Sequence, residues 1–319
     1  MTAEIDTVLD RRRLRRRLTL WRVLAIAAAV LALFAIGTSG DNWSSLGSKQ
    51  IARVSISGTI TEDRDQLELL KKIAESDTAA ALLVYVNSPG GTTTGGEALF
   101  AALREVAKKK PVVAQFGTVA ASAGYIVGLA ADHIVTRANT ITGSVGVLIQ
   151  WPEVSQALDK IGVKFNEIKS GDLKAVPSPF EPLNADGQKV TQAMIDEGFR
   201  WFLGLVEQRR GIKADAIPGL NRGRVFTGRE AVQLKLADSI GGEEEAVEWL
   251  RTERKVDKSL KVVDWKVQAA GSLGLFSSIG EAAASFFNNT TLGQMLARDP
   301  SLSGLGLDGF ISVWHPSEK

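Results

Sequence analysis

Strand-like apolar runs alternate with helical periodicities along most of this chain. Ile51–Ser57 reads as a strand, and Asp65–Ala74 carries apolar residues at helical spacing. Ala81–Val86 (ALLVYV) is a short apolar run that stops at Asn87-Ser88-Pro89-Gly90-Gly91, the pattern of a buried strand ended by a turn. Leu99, Ala102, Leu103 and Val106 mark one face of a helix that ends in three lysines, which suit the negative end of the helix dipole. Val112–Phe116 predicts a strand, 122–131 a helix and 133–136 a strand; Val145–Ile149, a helix near 153–161 and a strand over Val163–Ile168 follow. Such alternation implies an α/β domain with parallel strands buried between helices. Residues 184–211 predict a long helix with Val190, Met194, Phe202 and Leu205 inward. Thr227-Gly228-Arg229-Glu230 has capping-box spacing and opens another helix, and Glu243–Arg254 is a third. Beyond Ala269 the chain becomes rich in Gly, Ser and Phe and predicts no element.

A different pattern opens the chain. Val23–Gly37 (VLAIAAAVLALFAIG) is uncharged and apolar. Counted from Leu18, with Arg22 inside, the stretch reaches about twenty residues, enough at 1.5 Å per residue to span a bilayer core of ~30 Å. Arg22 can snorkel and Trp21 suits the interface. A cleaved signal peptide is the competing reading, but the exit Ala35-Ile36-Gly37-Thr38-Ser39-Gly40 holds no clean A-x-A site. The flanks of the arginine pairs match a twin-arginine export signal poorly. The expected organisation is a basic cytoplasmic N-terminus (1–22), one transmembrane helix (23–37), a Gly/Ser-rich linker (38–50), a globular body (51–250) and an extension of unassigned role (251–319). The arginines should stay inside, which puts the body across the cytoplasmic membrane, on its periplasmic or extracytoplasmic side.

Composition narrows the chemistry. At 45% hydrophobic and 23% charged over 319 residues, the chain can bury a substantial core. Its net charge of +2 hides an asymmetry: residues 1–22 carry a balance of +4 and the remainder −2. A mildly acidic body with a basic head does not fit a nucleic-acid binder. With no cysteine there are no thiolate metal sites, iron–sulfur clusters or cysteine nucleophiles. With only His133 and His315, a multi-histidine metal site is excluded as well.

Two loci could carry chemistry. Asn87–Gly96 is a glycine-rich turn between a strand and a helix, of a kind that exposes backbone N–H groups at a helix start. It lacks the Lys-Ser/Thr of a phosphate loop and any G-x-G-x-x-G, so an oxyanion hole is the functional reading and an ordinary tight turn the plain one. Gly117–Tyr125 surrounds one serine, Ser122, with small residues where a strand passes into a helix. A nucleophile there competes with a simple helix cap. His133 sits at a strand start and His315 in a Pro-containing tail, so neither makes a convincing triad base, and lysine is the remaining base. A lysine base must be neutral: moving its pKa from about 10.4 to about 7 costs roughly 4–5 kcal/mol, usually met by burial. Lys174 has apolar neighbours on both sides in Ser170–Phe180, whereas Lys164 and Lys169 lie on the alternating strand and look solvated. Most loop lysines are nonetheless simply exposed.

With these residues in view the chain resembles the short, single-repeat form of the signal peptide peptidase A family, serine–lysine proteases of the Clp/crotonase superfamily. The matching segments are VNSPGG at 86–91, ASAGY at 121–125, ADHI at 131–134, TGSVGV at 142–147, SGDLK to SPF at 170–180, and RVFTGREAVQLKLADSIGG at 224–242. The resemblance makes 51–250 the protease domain and implies a crotonase/Clp-like spiral of ββα units. It implies Ser122 as nucleophile, Lys174 as general base and Ser144 as a hydrogen-bonding partner of the lysine. Gly91, with Gly90, and the N–H of Ala123 match the oxyanion hole. His133 stands where many relatives carry lysine. The implied activity is hydrolysis through an acyl-enzyme, without cofactor or metal. The implied substrates are remnant signal peptides and other extended apolar peptides. The implied partners are the lipid bilayer and further copies of the chain, assembled as a bowl. A crotonase-type acyl-CoA enzyme and a catalytically silent membrane scaffold are the competing functions.

Overall fold

The computed structural model describes residues 48–267, the backbone of 311–313 and the isolated positions Trp21, Arg22 and Ile26. The apolar stretch 23–37 and its membrane reading lie outside the described residues, except for Ile26. Among those described, no helix is long and apolar enough to cross a membrane. The chain divides into two units, Met1–Lys49 and Gln50–Lys319, and the fold below belongs to the second.

Its spine is three parallel strands, β1 (Gln50–Ile60), β2 (Ala79–Thr92) and β3 (Val112–Ala121). Helix α1 (Arg64–Glu75) links β1 to β2, and α2 (Thr93–Ala107) links β2 to β3. These helices form where the apolar spacing predicts them. Asp63 caps α1 by accepting from the N–H groups of Asp65 and Gln66, and Thr92 caps α2 by accepting from Gly95. Beyond β3 the sheet branches. Val113–Phe116 pairs with β4 (His133–Thr136), which pairs with β7 (Ser239–Ile240), while Val119–Ala121 pairs with β5 (Ile141–Gly143), which pairs antiparallel with β6 (Val225–Thr227). The result is a mixed α/β sheet.

Each face of the sheet is covered. One core gathers Leu82, Val84, Val86, Ala114 and Phe116 with apolar residues of α1, α2, α3 (Ala123–Leu129) and α5 (Ala185–Arg210). The other packs Ile51, Leu83, Val113 and Val135 beneath α7 (Glu243–Thr252). Continuous apolar runs in β2 and β3 therefore reflect burial on two sides. Short helices α4 (Ser155–Lys160) and α6 (Gly228–Gln233) complete the helices named here. The capping box of Thr227 and Glu230 forms as expected at the start of α6.

Three expectations are corrected. Residues 145–149 and 163–168 are not strands: the strand of this region is β5, and Val163, Phe165 and Ile168 are exposed. Val190 and Met194 face solvent on α5, while Phe202 and Leu205 are buried, so only the second half of that helix packs into the core. The sheet also takes in residues past 250, because β8 (Val262–Asp264) pairs parallel with Ile51–Arg53. Arg53 joins that addition to α7 through Asp264 and Glu243. Finally β9 (Ile311–Val313) lies antiparallel to Gly90–Thr92.

Candidate active site

The turn expected at 87–91 is in fact a continuation of β2. The strand runs to Thr92, with register irregularities against β3 between Val86 and Ser88 and against β1 between Ser57 and Thr59. Asn87 spans the first irregularity: its Oδ1 accepts from the N–H groups of Thr118 (3.1 Å) and Val119 (3.2 Å). Ser88, wholly buried, turns its hydroxyl onto Gly90, accepting from the Gly90 N–H at 3.0 Å and donating to the Gly90 carbonyl at 3.2 Å. Gly90 has φ of 123°, a conformation that glycine tolerates and other residues rarely adopt. Gly91 has no room for a side chain, since a Cβ would stand 1.8 Å from the Ile60 carbonyl oxygen.

Ser122 sits at the junction of β3 and α3 with φ 57° and ψ −120°, and is 1% exposed. Its hydroxyl makes no capping bond to α3, so the plain reading of this serine as a helix cap fails. A non-glycine residue in this backbone region costs on the order of 1–3 kcal/mol and persists only where surroundings enforce it. Here they do. The Ser122 N–H is tied to the Gly143 carbonyl at 2.9 Å, and Ala121 is in register with Gly143. The carbonyl of Ser122 accepts from Tyr125 and Ile126. Helix α3 is buried at every position. Gly124 presses on the Ser88 carbonyl, Gly128 on the Phe116 ring, and Gly96 of α2 on Ala123. The small residues around Ser122 are used in part to pack α3 itself. At the far end of α3, Arg209 donates to the carbonyls of Leu129 and Ala131, and Arg104 to that of Ala130. Those carbonyls would otherwise be orphans of the helix terminus.

The same register brings Ser144 beside Ser122. Ser144 follows directly on β5, has φ 51°, and donates its N–H to the Arg224 carbonyl at 2.9 Å. Ser122, Ser144 and the Gly90–Gly91 segment thus converge on the ends of β2, β3 and β5, with Ala123 and Gly124 opening α3 between them. Of the expected oxyanion donors, the Gly90 N–H is already taken by Ser88. N–H groups in the first turn of a helix have no intrahelical acceptor, which leaves that of Ala123 available in principle.

The surroundings of Lys174 are different. It lies on a turn closed by its own N–H to the Gly171 carbonyl at 3.1 Å, and it is exposed. No hydrogen bond or ion pair joins its ammonium to another described residue. The apolar pocket expected around it is missing within one chain: Leu173 is 44% exposed and Val176 only partly buried. Lys169, expected to be solvated, is instead largely covered and paired with Glu181 and Glu167, and the hydrogen bond that its ammonium donates to Glu181 pushes its pKa up. It is held protonated and is no candidate base. The segment does have internal order. Phe165 stacks on Phe180 with centroids 4.2 Å apart, and the Val154 N–H donates to the Pro179 carbonyl. Gly187, at the start of α5, fits against Val176.

His133 is structural, as its strand position suggests. Its ring stacks on Trp249 at 4.7 Å, and its Nε2 lies 2.9 Å from the Ser239 hydroxyl. Burial pushes its pKa below the usual 6.5. The segment with His315 lies outside the described residues. Among the described residues no group of three or more His, Cys, Asp or Glu could hold a metal ion. Sequence reasoning missed Ser88, Asn87 and the Arg224 carbonyl. The first two were visible only as turn formers, and the third is a backbone group without a sequence signal.

Comparison with known proteins gives a consistent result. The sequence model of peptidase family S49 matches residues 104–257. A Synechocystis sp. protein, named only provisionally as a protease, is 35% identical over 206 residues, covering 64% of this chain and 74% of that protein. An Enterococcus faecium protein named, also provisionally, as signal peptide peptidase SppA is 30% identical over 84% of this chain and 77% of its own length. Protease 4 of Haemophilus influenzae is 33% identical over 62% of this chain, which spans only 34% of that longer protein. Among solved structures, a ClpP1 variant from Listeria monocytogenes aligns with a TM-score of 0.41 at 15% identity, over 61% of this chain and 94% of that one. A variant of a membrane-bound stomatin-specific protease aligns with a TM-score of 0.47 at 18% identity, over 69% of this chain and all of the other.

Proposed function

The chain belongs to peptidase family S49, the family of signal peptide peptidase A, and from that premise we propose that it cleaves extended peptides with Ser122 as nucleophile and Lys174 as base. The observation that carries the proposal is the backbone of Ser122. A buried serine is held at positive φ where a strand meets a helix, with its hydroxyl unused by the helix and its N–H bonded to the carbonyl of Gly143, the residue before Ser144. Strain of this kind concentrates at functional sites. Among the described residues, three of the five positive-φ residues other than glycine are Ser122, Ser144 and Ala175, the last adjacent to Lys174.

The chemistry runs as follows. Neutral Lys174 takes the Ser122 proton as the serine oxygen attacks the scissile carbonyl. The N–H groups of Gly91 and Ala123 hold the oxyanion, and donors of this type contribute about 10²–10³-fold each. The lysine then protonates the leaving amine, and water releases the acyl group. Antiparallel pairing at Gly90–Thr92 with the backbone of Ile311–Val313 supports extended peptide as the ligand, since an edge that accepts one strand can accept another.

A second copy of the chain is part of the proposal. Ile161, Val163, Phe165, Ile168, Leu173 and Phe180 are all at least 39% exposed within twenty residues around Lys174. A cluster of that size marks an interaction surface. Burying it in a homo-oligomer would supply the desolvation a lysine base requires. The branched sheet supports the spiral of ββα units. The arginine-rich head before residues 23–37 supports a membrane anchor with the body on the extracytoplasmic side, and hence signal peptides as substrates. The test is digestion of a synthetic signal peptide by the full chain beside Ser122→Ala and Lys174→Ala. Activity should be lost in both, and a reporter fused after Lys319 should be active only outside the cytoplasm. Cleavage that survives Ser122→Ala refutes the site.

A further inference from the structure

We infer that Ser88 is a positioning residue: its buried hydroxyl latches the peptide unit between Gly90 and Gly91 so that the Gly91 N–H keeps the orientation an oxyanion donor needs. The inference deepens the proposed function and rests on that reading of the site.

It starts from the glycine pair near the end of β2. The Gly90–Gly91 peptide has glycine on both sides, so no Cβ opposes its rotation, and Gly90 already sits at φ 123°. A flip of this unit would exchange the directions of its carbonyl and its N–H and disturb the pairing of Gly90 and Gly91 with Thr59 and Ile60 of β1. The Ser88 hydroxyl removes that freedom. It donates to the Gly90 carbonyl at 3.2 Å, and its oxygen accepts from the Gly90 N–H at 3.0 Å. A trans peptide is planar, so its N–H points opposite to its C=O. Fixing the Gly90 carbonyl toward Ser88 therefore aims the Gly91 N–H away from Ser88. After a flip the Gly90 carbonyl oxygen, not an N–H, would occupy the donor direction, and it would repel an oxyanion.

The surroundings make the latch rigid. Ser88 is 0% exposed, so water does not compete for its hydroxyl. It is in register with Ala120 of β3, two residues before Ser122. Its own carbonyl lies against Gly124 of α3, where a Cβ would come within 2.9 Å. The residue that orients one donor peptide is thus packed on the helix whose first residue, Ala123, offers the other.

The test uses the full chain, a synthetic signal peptide and a peptide boronate as tetrahedral analogue. Ser88→Ala should lower kcat by about 10–100-fold, a part of the ~10²–10³-fold that loss of one oxyanion donor costs. The boronate affinity should fall by a similar factor. Binding of the intact peptide, measured in a Ser122→Ala background, should stay within threefold. Ser88→Thr keeps the hydroxyl and should recover most of the loss. Ser88→Cys, similar in size with a far weaker donor, carries the same test should Ser88→Ala not fold. A kcat within twofold of the parent, or a loss confined to KM and peptide affinity, overturns the latch. The control separates the two claims: activity in Ser122→Ala refutes the site reading, whereas an inactive Ser122→Ala beside a fully active Ser88→Ala refutes the latch alone.

Discussion

The two halves of the proposed dyad are built in opposite ways. Around Ser122 the fold supplies everything: full burial, a register that fixes Gly143 against the serine N–H, glycines that admit α3, and arginines that satisfy its far end. Around Lys174 the single chain supplies little beyond a turn, a stacked pair of phenylalanines and an exposed apolar surface. A nucleophile can be prepared by local backbone geometry, because position and strain are what it needs. A lysine base needs desolvation, which is a property of volume and which a surface turn does not provide. Under the proposed dyad, the difference means that one chain completes the nucleophile while the base would be completed by association.

The sharpest way to break this comparison is at its rigid half. Ser122→Ala should reduce peptide cleavage by on the order of 10⁴–10⁶-fold, as loss of a hydrolase nucleophile does elsewhere. Its melting temperature should be unchanged or raised, and a fall of several degrees would mean that the serine serves the fold instead. Lys174→Ala and Lys174→Arg should both lose activity by on the order of 10³-fold or more, since arginine keeps its proton. An active Lys174→Arg, read in the same peptide assay, would remove the lysine from the mechanism.

A smaller effect tests the unfinished half. Ile168→Glu puts a charge at the most exposed apolar position of the Lys174 segment without touching the core. Specific activity should fall about 10–100-fold at low protein concentration, and sedimentation should show smaller species. The melting of the body should not move. Retained activity in a monodisperse single chain would mean that the lysine is desolvated without a partner.

The contrast also explains what the sequence could disclose. Strands β1 to β4 and helices α1, α2 and α5 were legible because burial on both sides writes long apolar runs, and an amphipathic face writes its period. Ser122 was legible as one hydroxyl among small residues. Residues 163–168 misled because their alternation serves an exposed surface, not a sheet. The missing pocket at Lys174 misled for the same reason, since apolar neighbours in sequence announce burial without saying which chain provides it. Ser88 stayed hidden because Ser, Pro and Gly together write a turn, and the latch depends on a peptide orientation that no side-chain pattern records.

The smallest effect concerns His133, which the dyad reading leaves outside the chemistry. Its ring is half-buried, stacked on Trp249 of α7 and bonded to Ser239 of β7. Burial lowers its pKa. Asp238 opposes that shift, Arg210 adds to it and Glu253 opposes it. Because the folded value lies below the 6.5 of the free side chain, the unfolded chain binds the extra proton first on acidification. The stability due to the neutral ring is therefore complete above about pH 6.5, and it is lost as pH falls from there through the folded value. His133→Phe keeps the stack and cannot titrate, so its melting temperature should vary less between pH 7 and pH 5 than that of the parent. Peptide cleavage at neutral pH should stay within about twofold. Loss of cleavage in this variant with an unchanged melting profile would return histidine to the mechanism and Lys174 to the surface.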